Sequence, residues 1–358
     1  MKILLCERGF EGHREKYFKC LSNISDEEFY GFAPGNAGMD KNHYIHYSIP
    51  ANVSSIKEYF SWIIQINEII IAEDIDIVHI LDGDSIMRYF GIGFSRFRKA
   101  KVVITYHHFY SGFIRKISYK NMLSGRNRIG IVHTQHVRNM FSQEGIFNIK
   151  TCEYPAFDYE RMANRDKENA KLHWKLPLNV PTIGIIGGLN SYKNITQFLE
   201  VLKECNESFH LLICGKPGDI TQNDIETCIN IYSHKVSVKA ESLSEDEYEL
   251  AIAASDIIFC IYGHTFDGAS GPLTDGVCAE KLILSCKHGS LGDIVKLNHL
   301  GFTAECDNPE DILLQVSKAL KIVKNYYYDE VARDYRRRLT PYCFQQRYKK
   351  IYDELGAL

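Results

Sequence analysis

The chain has 358 residues, of which 45% are hydrophobic and 24% charged, with a net charge of −3. That length exceeds one ordinary core and suits two domains of roughly 150–180 residues each. The weak negative charge gives no sign of a nucleic-acid partner, and the longest apolar run, Trp62 to Ile71, is broken by Gln65, Asn67 and Glu68, so no membrane span is expected.

The opening, MKILLCERGF, has an apolar stretch of only about four residues, too short for a secretory signal. Eleven cysteines occur without any C-x-x-C pair, and Cys6, Cys214, Cys260 and Cys286 sit in or beside apolar runs. An odd number of thiols used as small core hydrophobes points to a reducing cytoplasm.

Along the chain, short apolar runs alternate with amphipathic stretches, the signature of βαβ units and parallel sheets. The first half reads as a strand at 2–6, a helix near His13 to Leu21, strands at Glu28 to Ala33 and Tyr44 to Ile49, and a long helix from Val53 to Ala72. Strands follow at 75–81, 101–107 and 128–134; their Val and Ile content fits strands buried on both faces. The segment KLHWKLPLNVP, 171–181, has two prolines and no period, and reads as a linker. A second series then runs through strands at 182–189, 210–215, 236–241, 256–262 and 282–288, with helices at Asn194 to Cys205, Ser244 to Ala254, after Gly271, and Pro309 to Val323. The last segment reads as two helices broken at Pro341. Two doubly wound halves normally leave a cleft, with ligands at the carboxyl ends of the strands.

Gly187-Gly188 follows a strand directly and Lys193 opens the next helix. Glycine lets backbone approach an anion, and helix N-termini attract phosphate. The loop Gly263 to Gly271 is glycine-rich and polar, and Pro272 stands where a helix would begin. Its free amides could face a diphosphate. Asp267 in that loop and Asp275 one turn into the helix are acceptors suited to sugar or ribose hydroxyls. A surface turn with ordinary helix-start charges is the plainer alternative.

With these residues in view, 182–323 resembles the nucleotide-binding domain of the family-four retaining glycosyltransferases, which have the GT-B fold. Gly187-Gly188-Leu189 and Lys193-Asn194 stand where that family has Gly-Arg-Leu and Lys-Gly; HLLICGKPGD matches its Leu-x-Ile-x-Gly-x-Gly strand. Asp267 and Asp275 keep the spacing of the family's paired glutamates. The resemblance implies that Asp267 faces the donor sugar, Asp275 the ribose, and Lys193 the diphosphate, with Gly187, Gly188, Gly215, Ser270 and Gly271 completing the donor site. It implies a nucleotide diphosphate sugar, UDP-linked, as donor, no further cofactor, and transfer without metal. Two departures stand out: Gly188 replaces the family's arginine, and both acids are shorter by a methylene.

In the first half, Arg8-Gly9-Phe10-Glu11-Gly12-His13 forms the first strand–helix junction, and Gly9 and Gly12 could lie over phosphate. Thr105-Tyr106-His107-His108 ends a strand; the family often has Thr-x-His-Asp there, which makes His107 a catalytic candidate. His79, within IDIVHIL, reads as a core histidine. Asp82-Gly83-Asp84 and Asp74-Ile-Asp76 have an Asp-x-Asp form that can bind metal, yet arises easily by chance; no metal ligand is assigned. From Ser85 to Gln143 there are eleven Lys or Arg, many aromatics, and no Asp or Glu. That asymmetry fits peripheral contact with an anionic membrane or a lipid-linked acceptor; a solvated basic face is the plainer reading.

The expectation is therefore an α/β chain of two Rossmann-like doubly wound domains facing a cleft, in the GT-B manner. The domains are 1–172 (acceptor side), 173–181 (linker), 182–332 (donor side) and 333–358, whose final helix crosses back to the first domain. The expected activity is sugar transfer in the cytoplasm to a glycan or lipid-linked acceptor. Alternatives are a non-catalytic glycosyltransferase-like subunit, a nucleotide-sugar epimerase or hydrolase, and an NAD enzyme, the last opposed by the lack of G-x-G-x-x-G with a following acid.

Overall fold

The computed structural model describes residues 1–9, 13–34, 55–229 and 235–357. Among these the chain divides into two compact units, 1–157 with 341–358, and 158–340.

The first unit is built on six parallel strands: β1 (Lys2–Cys6), β2 (Glu28–Phe32), β3 (Ile77–Ile80), β4 (Lys101–Thr105), β5 (Arg128–Val132) and β6 (Ile149–Thr151), in the order β2-β1-β3-β4-β5-β6. Apolar residues such as Leu4, Val78 and Ile104 face one core, Ile3, Ile77 and Val103 the other, as a sheet covered on both sides requires. The helix Ile56–Glu73 covers one face. It begins with a capping box of Ser55 and Glu58 and stops at Asp74, whose φ of 55° is left-handed. On the other face lies the final helix, Pro341–Gly356, with Phe344, Tyr348, Ile351, Tyr352 and Leu355 buried. His79 is fully buried: Nδ1 meets Tyr352 Oη at 2.7 Å and Nε2 meets Thr105 Oγ1 at 2.8 Å. Burial lowers its pKa to about 3, so it is a neutral core histidine.

The second unit has β7 (Thr182–Ile186), β8 (His210–Cys214), β9 (Val236–Lys239), β10 (Ile257–Cys260), β11 (Leu282–Cys286) and β12 (Gly301–Ala304), all parallel, in the order β12-β11-β10-β7-β8-β9. This is the doubly wound order in which a ligand crevice opens where the connections reverse direction, here between β7 and β10.

The sequence reading set the first domain at 1–172 and a linker at 173–181; the structure puts 158–172 in the second unit. Two short helices there, Tyr159–Asn164 and Lys167–His173, are held by ion pairs that residue periodicity does not reveal. Arg161 and Arg165 reach the buried Glu249 at 2.9 and 2.7 Å, and the buried Lys171 reaches Asp256 at 3.0 Å. At the other end, the helix Glu330–Arg338 stays with the second unit: Arg336 Nε donates to the Cys278 carbonyl at 2.7 Å, and the return to the first unit begins at Pro341 rather than 333. The expected helix at 194–205 is α-helical only over Ile195–Val201 and ends in a 3-10 turn. The strand read at Tyr44 to Ile49 lies outside the described residues. Strands β6 and β12 and the helices Phe113–Met122, Gln135–Gln143, Gln222–Ile229 and Gly289–Leu297 were not read from the sequence.

Candidate functional site

In the second unit the carboxyl ends of β7 and β10 bring several predicted residues together. After β7 the chain turns at Gly187, whose φ of +89° favours glycine. A side chain there would lie 3.5 Å from Lys193 Nζ and 3.6 Å from the Pro272 ring, so Gly187 sits between the lysine and the start of the helix Gly271–Cys278. Lys193 is only 4% exposed. Its Nζ donates to the Ile186 carbonyl at 2.8 Å and lies 5.6 Å from the centre of the Tyr262 ring. Among the described residues it forms no ion pair with a carboxylate. Burial pushes its pKa down to about 8, so near neutrality it is a desolvated cation with donors to spare.

Ser270 caps the helix Gly271–Cys278: Oγ accepts from Leu273 N at 3.4 Å and lies 3.3 Å from Tyr262 Oη. Pro272 at the first turn donates no proton and fixes φ for the helix. Asp275 stands one turn in, its Oδ2 accepting from Tyr248 Oη at 2.8 Å. Asp267 is half-buried and its carbonyl accepts from Ser290 Oγ. Gly188 lies beside Asn190. Gly215 has a different part: a side chain there would come within 2.1 Å of the Gly187 carbonyl oxygen, so its glycine lets the β8 end pass under the Gly187 turn.

Sequence reasoning missed the aromatic group that ties this loop down. Tyr192 stacks on Phe266 at 5.4 Å, and Tyr262 meets both edge-on at 5.8 and 5.1 Å. Gly263 N also donates to the Tyr192 carbonyl at 2.6 Å. The tyrosine beside Lys193 was the available signal.

The first unit gathers a separate charged cluster at the ends of β1, β3 and β4. Glu7, 3% exposed, accepts from the Arg8 and Gly9 amides at 2.7 and 3.3 Å. Arg14 bridges Glu7 and Asp82 at 3.4 and 3.1 Å. Asp84 accepts from the His107 and His108 amides at 2.7 and 3.3 Å. Burial first and the Asp82 charge second raise both Glu7 and Asp84 to about 7. His107 donates from Nε2 to the Leu81 carbonyl at 3.0 Å, which fixes its ring, and lies 5.2 Å from His133. Gly12 lies outside the described residues. Asp74 ends the preceding helix through its backbone N–H, which donates to the Ile70 carbonyl, and the Asp76 carboxylate accepts from Lys2 N at 2.8 Å.

No family model matches the chain, and no curated protein matches it. Solved structures do. A glycosyltransferase from Rickettsia africae superposes with a TM-score of 0.78 at 20% identity, covering 99% of this chain and 98% of that one. Anabaena Alr3699/HepE in complex with UDP superposes with a TM-score of 0.72 at 15% identity, and in complex with UDP-glucose with 0.70 at 14%, each over 100% of both chains. With two six-stranded parallel sheets and a final helix that belongs to the first unit, the fold is GT-B.

Proposed function

We propose that the chain transfers a sugar from a nucleoside diphosphate sugar, UDP-linked, to a glycan or lipid-linked acceptor, with retention of the anomeric configuration and no metal in the transfer step. Lys193 carries the reading. A buried cation that forms no ion pair with a carboxylate among the described residues, at the switch point of a doubly wound sheet and beside a helix N-terminus, supports a diphosphate site.

In the transfer, the bond from the sugar's anomeric carbon to the diphosphate breaks and one to the acceptor oxygen forms. The acceptor's proton goes to the leaving phosphate or solvent. Negative charge grows on the diphosphate, where Lys193 and the Gly187–Gly188 and Gly271 backbone meet it. Asp267 orients sugar hydroxyls. Asp275, steadied by Tyr248, takes the ribose. In the first unit, His107 and the Gly9 turn are the proposed contributors. The UDP and UDP-glucose held by the Anabaena structures support the choice of nucleotide.

Two further parts of the reading concern place. Nine of the eleven free cysteines are buried, in keeping with a reducing cytoplasm. Among the described residues no helix is long and apolar enough to cross a membrane. The helix Phe113–Met122 nevertheless exposes Phe113 by 79% and Ile114 by 66% beside Arg115 and Lys116, which supports peripheral docking on anionic lipid. Sedimentation with anionic liposomes at low salt tests it; failure to bind removes it.

The donor test is a thermal-shift panel of UDP, GDP, dTDP, CMP and NAD on the native chain and on Lys193→Met, followed by UDP-sugar turnover. A shift with UDP that the substitution abolishes is expected. No shift with any nucleoside diphosphate overturns the donor site and favours a non-catalytic subunit. Turnover of UDP-sugar without an acceptor would favour an epimerase or hydrolase.

A further inference from the structure

Three loops at the carboxyl ends of β10, β11 and β12 bring His264, His288 and Cys306 together, with one ligand atom from each lying within 4.8 Å of the others. Asp307 closes the group. Its carboxylate receives His264 Nε2 at 3.1 and 3.2 Å and Cys306 Sγ at 2.8 Å. The His264 and His288 rings stack at 4.0 Å.

His288 supplies the second observation. Both its ring nitrogens are shielded from solvent, and beyond the Gly263 backbone no strong hydrogen-bond partner reaches them among the described residues. His264 and Asp307 are exposed by 60% and 73%, so an ion can enter from solvent. Two imidazoles, a thiol and a carboxylate are the donor set of a tetrahedral zinc site. Bonds of about 2.0–2.3 Å put neighbouring donors roughly 3.3–3.8 Å apart, so binding requires the side chains to rotate inward from their present spacing.

We propose that His264, His288, Cys306 and Asp307 bind one zinc ion. On binding, Cys306 loses its S–H proton to solvent and coordinates as thiolate. The ion joins the loop that carries Asp267 to the loops after β11 and β12, and so holds the donor loop in place without entering the transfer chemistry. The binding claim stands apart from the proposed glycosyl transfer.

The test uses the full chain with Cys228 and Cys343, the two cysteines that are not buried, changed to serine to remove background thiols. Titration with Co2+ follows thiolate charge-transfer absorption and the ligand-field bands of tetrahedral cobalt, and Zn2+ competition gives its affinity. One equivalent is expected. His264→Ala, at an exposed position, and Cys306→Ser are each expected to weaken binding by more than about tenfold. Absence of the charge-transfer band overturns the site, as does a band that survives in Cys306→Ser. Binding that His264→Ala leaves unchanged overturns the ligand set. Thermal shift by Zn2+ alone, with no nucleotide present, keeps this outcome separate from failure of the donor site.

Discussion

Lys193 is cationic below about pH 8 and loses its charge above it. The neighbouring thiols of Cys214 and Cys260 are held up to about 12, so they stay neutral across that range. Affinity for UDP is therefore expected to fall as pH rises through about 8. Lys193→Met is expected to weaken it by about 10–100-fold, the scale of a charge-assisted hydrogen bond, and to flatten the pH dependence; calorimetric titration at pH 7 and 9 checks both. The same group affects folding in the opposite sense. Its folded pKa lies below the ordinary 10.5, so between about 8 and 10.5 the unfolded chain binds more protons and stability rises with pH. Lys193→Met should lack that rise. His79, at about 3, makes a simpler forecast: its ring resonances should not titrate between pH 8 and 5, and a midpoint near 6.5 would place it outside the core.

Two local elements hold the proposed donor site, and each has one residue that tests it. Gly215 allows the β8 end to pass the Gly187 turn, because a Cβ there would lie 2.1 Å from the Gly187 carbonyl oxygen. Gly215→Ala is expected to destabilise by more than about 2 kcal/mol in urea unfolding, because the atom it meets is backbone and not a flexible side chain. Ser270 caps the helix Gly271–Cys278. Ser270→Ala should cost about 1 kcal/mol of stability and weaken UDP binding as well, since a frayed first turn no longer aims its amides. A stability loss with unchanged UDP affinity would separate the cap from the site. In the first unit, Asp82→Asn should lower the pKa of both Glu7 and Asp84, because the Asp82 charge is the second cause of their rise after burial. Carboxyl resonances followed by NMR would show it.

At the scale of the molecule, the final helix completes the first unit although the whole second unit separates them in sequence. Deleting 341–358 exposes Phe344, Tyr348 and Tyr352 partners and leaves His79 Nδ1 without the Tyr352 hydroxyl. Limited proteolysis of the truncated chain should cut rapidly within 1–157 and slowly within 158–340; equal resistance would show that the helix is dispensable. The alternation of Val- and Ile-rich runs with amphipathic stretches was enough to determine two parallel α/β halves, because a strand buried on both faces has a composition that no surface element shares. Glycines at 187, 215 and 271 and the prolines at 272 and 341 were equally legible, since backbone geometry is written one residue at a time. The sequence did not reveal that 158–172 belongs with the second unit, for Arg161, Arg165 and Lys171 find Glu249 and Asp256 across about 80 residues of chain. Nor did it show the Tyr192–Tyr262–Phe266 group, the burial of Lys193, or the meeting of His264, His288 and Cys306. Local spacing determines which elements form. Only the strand order decides which loop ends become neighbours, and a cation's pKa, a ring's stacking partner and a ligand set are properties of neighbours.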